Sequence, residues 1–61
     1  MNEDAVNMEI RKFLKRFGVA AQRVIEEAAR KAGSGMLDVR ATLQIEGRPD
    51  AHEEREKIPL G

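Results

Sequence analysis

The sequence has no cysteine, no tryptophan and no tyrosine, and only two phenylalanines and one histidine among its 61 residues. Without cysteine there is neither the disulfide framework that many small secreted domains rely on nor a thiolate metal site. One histidine cannot complete a zinc cluster. Scarce aromatics leave little bulk for filling an interior, and a domain of this length buries only about 60% of the surface its unfolded chain exposes. A second copy would supply part of what is missing, so a homo-oligomer, most simply a dimer, is expected. Long apolar runs are also lacking. The first residues, Asn2-Glu3-Asp4, carry acid and no apolar stretch follows, which predicts neither a secretory signal nor a membrane span and makes the cytoplasm the expected location.

Net charge is absent as well: 11 basic side chains balance 11 acidic ones. No overall field draws the molecule to nucleic acid or to an anionic membrane. The distribution is uneven, with seven bases against five acids in residues 1–35 and four against six in residues 36–61.

What the chain does have is periodicity. From Leu37 to Glu46, apolar Leu37, Val39, Ala41, Leu43 and Ile45 alternate with Asp38, Arg40, Thr42, Gln44 and Glu46, the pattern of a one-faced strand with edges that must pair or be covered. Before it, Asn2 is placed to cap a helix carrying Glu3 and Asp4 in its first turn. Val6, Ile10, Phe13, Leu14 and Phe17 then form an apolar stripe. Gly18 reads as the end of that helix. A second helix, Val19 to Ala32, places Ala21, Val24, Ile25, Ala28, Ala29 and Ala32 on one face, with Glu26/Arg30 and Glu27/Lys31 in the favourable acid-first order. Gly33-Ser34-Gly35 follows a helix rather than preceding one, so it reads as a linker and not as a phosphate cradle.

The expected fold is therefore α+β: a two-helix hairpin followed by a strand or a short antiparallel β-hairpin. Its core is expected from Val6, Ile10, Phe13, Leu14, Phe17, Val24, Ile25, Val39, Leu43 and Ile45. Residues 1–47 form the helix-helix-strand unit; residues 48–61 are a turn and a charged segment open to either a second strand or a flexible tail. In such a strand His52, Glu54, Glu56, Ile58 and Leu60 share a face.

Candidate chemistry is sparse. His52 can share a strand face with Glu54, but one imidazole and one carboxylate make an incomplete metal or acid–base site. With no nucleophile–base pair and no carboxylate pair in an apolar setting, the expectation is no catalysis, no cofactor and no small-molecule substrate. Opposite the first stripe, Arg11, Lys12, Lys15 and Arg16 form a basic quartet whose members at four-residue spacing repel mildly. An acidic protein partner would relieve that repulsion, and Met8 beside the quartet offers an adaptable contact. The alternative is a weak helix-turn-helix nucleic-acid binder adding Gln22 and Arg23. The motif fits poorly: Leu14 stands where a small residue should let the helices cross, and Glu27 where an apolar one should sit.

The run Asn2 to Val19 resembles the opening of a family of small proteobacterial proteins classified as a domain of unknown function, and Gln22-Arg23 with Ile25-Glu26 and Thr42-Leu43 with Ile45-Glu46-Gly47 resemble later parts of it. The resemblance implies a short cytoplasmic protein with helices followed by strand, and no activity. Similar chains place Thr or Ser at the start of the second helix where this one has Ala20 and Ala21, and an alternating strand where this one has Arg48-Pro49-Asp50 and a charged run.

Zero net charge and two candidate base contacts predict no retention of the purified protein on duplex or single-stranded nucleic acid at about 50 mM salt. Retention that falls log-linearly as salt rises would instead establish the nucleic-acid alternative.

Overall fold

The computed structural model describes residues 1–61 as one helix, α1 (Glu3–Ala32), followed by two strands, β1 (Met36–Gln44) and β2 (Ala51–Pro59). The Oδ1 atom of Asn2, whose backbone is extended, accepts the Ala5 N–H at 3.1 Å. This caps the helix where Glu3 and Asp4 also meet the positive end of its dipole. At the other end Gly33 takes a positive φ of 78° and donates its N–H to the Ala29 carbonyl at 2.9 Å, with Arg30 and Lys31 in the last turn.

The two-helix hairpin expected from Gly18 is not formed: α1 runs unbroken through it for 30 residues. Gly18 does not adopt a positive φ. A helical glycine costs only about 1 kcal/mol relative to alanine, and the apolar stripe passes through it without losing phase. Phe17 leads on to Ala20, Ala21 and Val24, as one helix requires. Ala20 and Ala21 are then interior residues, where alanine is the best helix former, and no second cap is needed.

β1 and β2 pair antiparallel in the register Leu37↔Ile58, Val39↔Glu56, Ala41↔Glu54 and Leu43↔His52. The tip is turned by Gly47, at φ 76°, with the Arg48 N–H donating to the Ile45 carbonyl at 3.1 Å. That is the third turn position, where only a residue tolerant of positive φ fits. Arg48 Nε bonds Asp50 Oδ2 at 2.7 Å across the loop. At the root, the Leu60 N–H donates to the Gly35 carbonyl at 2.8 Å. The outer hairpin face is charged. Glu53 takes Arg55 at 2.8 Å and reaches Arg40 at 3.9 Å, offsetting the repulsion between these two cross-strand arginines.

The hairpin folds back along the helix. A 30-residue helix spans about 45 Å, and the whole chain measures 47 × 23 × 15 Å. Contact is densest at the root, where Ala21, Ile25 and Ala29 of α1 and Leu37, Val39, Ile58 and Leu60 of the hairpin segment are half-buried. No residue is fully buried. The expected core is thereby corrected: Ile25 and Val39 are half-covered, whereas Val6, Ile10, Phe13, Leu14, Phe17, Val24, Leu43 and Ile45 are all exposed. The physical reason is geometric. The helix stripe, from Ala20 round to Ala29, is roughly 180° wide at 100° per residue, and a two-stranded ribbon meeting α1 at Ala21, Ile25 and Ala29 reaches only one flank of it.

A Cβ at Gly18 would meet nothing within 4 Å beyond its chain neighbours and the helix's own backbone. Gly18→Ala is expected to stabilise the protein by about 0.5–1 kcal/mol, read as a rise of a few degrees in the thermal midpoint. Gly47→Ala, at a positive φ, is expected to lower it.

Candidate interaction surface

The exposed apolar residues are contiguous. Val6, Ile10, Phe13 and Leu14 of α1 face Leu43 and Ile45 near the hairpin tip across a cleft of about 650 Å³ that Ala5 and Glu9 complete. A second cleft of about 410 Å³ continues along the helix between Phe13, Leu14 and Phe17 on one side and Ala41, Leu43, His52 and Glu54 on the other. The helix and hairpin thus meet at the root and leave an apolar cleft open toward the tip. Phe13 and Phe17 stack with ring centroids 6.3 Å apart, yet Phe17 remains 52% exposed and Val24 71%.

No residue of the basic quartet lines this cleft, and all four side chains are exposed. Lys12 Nζ approaches Glu9 Oε1 at 3.5 Å, and the Arg16 guanidinium sits over the Phe13 ring, 5.7 Å from its centroid. Lys12, Lys15 and Arg16 line a shallow groove with Val19, Ala20 and Arg23. Arg11, one turn before Lys15, extends the basic surface beyond it. Met8 is exposed on the same side of the helix. Three of the four basic residues therefore share one groove with Arg23.

Gln22 and Arg23, the residues assigned to base contacts, sit in mid-helix, since no turn presents a second helix for a groove. Gln22 Nε2 donates to Glu26 Oε1 at 2.8 Å. Glu27 bonds Arg30 at 2.8 Å rather than pairing with Lys31, and Arg30 also reaches Glu26 at 4.0 Å. His52 Nε2 lies 2.9 Å from Glu54 Oε1, as their shared strand face allows, and no third metal-ligating side chain joins them. No helix is long and apolar enough to cross a membrane.

The most regular feature of this surface runs along the helix through Gly18. Val6, Ile10, Phe13, Phe17, Ala20 and Val24 recur at alternating spacings of four and three, a heptad seam of six positions along one continuous helix. The signal was present in the spacing, and reading Gly18 as a terminus cut it in two. Leu43 and Ile45, expected inside, instead form the far wall of the cleft.

Comparison with curated proteins and with solved structures gives no match. A family model matches residues 1–61, and on that match the chain belongs to a family of unknown function, DUF6494.

Proposed function

We propose that the chain is a non-catalytic protein-interaction module that associates with itself through its apolar helix face and hairpin cleft. One observation carries the reading: not one of its 61 residues is buried. A globular monomer of 6.8 kDa exposes about 4000 Å², whereas this chain exposes 5791 Å². The excess of about 1800 Å² is more than twice the roughly 800 Å² that each partner contributes to a standard interface. Its radius of gyration, 15.1 Å, likewise exceeds the about 10.5 Å of a compact chain of this length. Much of the surplus is apolar and continuous, which distinguishes a docking surface from scattered exposed side chains.

The basic quartet belongs to the same proposal as a second surface for an acidic protein partner, with Arg16 at its border with the apolar seam. Arg11, Lys12 and Lys15 lie off the apolar seam, so self-association leaves them in solvent. The cytoplasm is the proposed location.

Solution mass measured by sedimentation from micromolar concentrations upward is expected to reach at least twice 6.8 kDa; a single-chain mass at every concentration would overturn the reading. Replacing Arg11, Lys12, Lys15 and Arg16 by glutamine is expected to leave helical circular dichroism intact. The same change is expected to abolish salt-sensitive binding of an acidic polyglutamate probe. Unchanged probe binding would remove the quartet from the proposal.

A further inference from the structure

We infer that two copies pair through α1 as an antiparallel helix pair, each copy laying its Val6–Val24 seam against the other, with Glu9 of each copy meeting Arg23 of its mate. The inference rests on the self-association proposed above and adds the partner, the orientation and the ion pairs that fix the orientation.

The seam is self-complementary in one direction. Its six positions are symmetric about the level of Lys15, so reversing one helix against the other brings Val6 opposite Val24, Ile10 opposite Ala20, and Phe13 opposite Phe17. Every layer is apolar, and the pairing of Ile10 with a small alanine beside the Phe13–Phe17 layer alternates bulk as packed helices require. The seam from Val6 to Val24 is about 27 Å long at 1.5 Å per residue. All of it lies within α1 and none of it is buried.

Charge selects the direction. Glu9, Arg16 and Arg23 follow one edge of the seam at seven-residue intervals. In an antiparallel pair this edge meets the same edge of the partner. Glu9 then faces Arg23 twice per dimer, while Arg16 meets its own copy at the two-fold axis. In a parallel pair the same edge would face the opposite one, occupied by Asn7, Leu14, Ala21 and Ala28, and no ion pair would form. Glu9 is held only at 3.5 Å by Lys12 and is 74% exposed, so it remains available. Arg16, the one like-charge contact, is drawn back over Phe13.

The opposite edge is the one the hairpin covers: Ala21 is half-buried there together with Ile25 and Ala29. An antiparallel pair joins these edges too, so both hairpins lie on the same side of the helix pair. The partner's helix then runs beside Leu43 and Ile45 and fills the cleft they share with Val6, Ile10 and Phe13.

Charge exchange tests the pairing. Glu9→Arg and Arg23→Glu are each expected to weaken the dimer about tenfold at low salt, since each reversal acts at two sites. The double variant is expected to return to within about threefold of the parent. Because the chain has no cysteine, an equimolar mixture of Glu9→Cys and Arg23→Cys proteins under mild oxidation is expected to yield mainly the mixed disulfide. A dimer in which the double variant shows no recovery and each cysteine variant links to itself would overturn the antiparallel orientation while leaving self-association standing. A parent protein that stays monomeric would remove both.

Discussion

Everything in this molecule depends on an apolar stripe wider than the hairpin that covers it. α1 spreads its apolar side chains over roughly 180° of its circumference, and the hairpin seats itself on one flank, against Ala21, Ile25 and Ala29. The opposite flank, with Phe13, Phe17 and Val24, is left to water. The unburied interior, the open cleft and the elongated shape all follow from that mismatch.

The covering ribbon is itself divided. Its inward face carries Leu37, Val39, Ala41 and Leu43 on β1, but on β2 only Ile58 is apolar and Glu56, Glu54 and His52 take the remaining places. A row with this composition resists burial against a helix, because a desolvated carboxylate without a partner is costly. The hairpin is therefore half-covered where Leu37 pairs with Ile58 and leaves a cleft where His52 and Glu54 border it. One strand supplies the apolar contact and the other limits how far it extends.

Much of the local structure was legible in the sequence, for reasons that can be named. The alternation from Leu37 to Ile45 specified β1 and its inward face, because a period of two admits few other readings. Asn2 and Gly33 marked the helix ends through cap chemistry that works within one turn. Gly18 misled, since a glycine's tolerance of positive φ does not compel it, and the unbroken phase of the stripe from Phe17 to Val24 outweighed its local cost. β2 was harder to read because its inward row is mostly charged, leaving alternation with little hydrophobic contrast. The exposed seam was nearly visible: five of its six residues, all but Ala20, were expected in a core, and what the sequence could not show was that the hairpin falls short of covering them.

If the fold completes itself only by pairing, folding and association are one equilibrium, and stability must depend on protein concentration. The most direct measurement is the thermal midpoint followed by far-ultraviolet circular dichroism over a wide range of concentration. A midpoint that climbs steadily with concentration is the result this account predicts. A midpoint independent of concentration, in a protein of single-chain mass, would show that the chain is stable with its apolar seam in water and would contradict it.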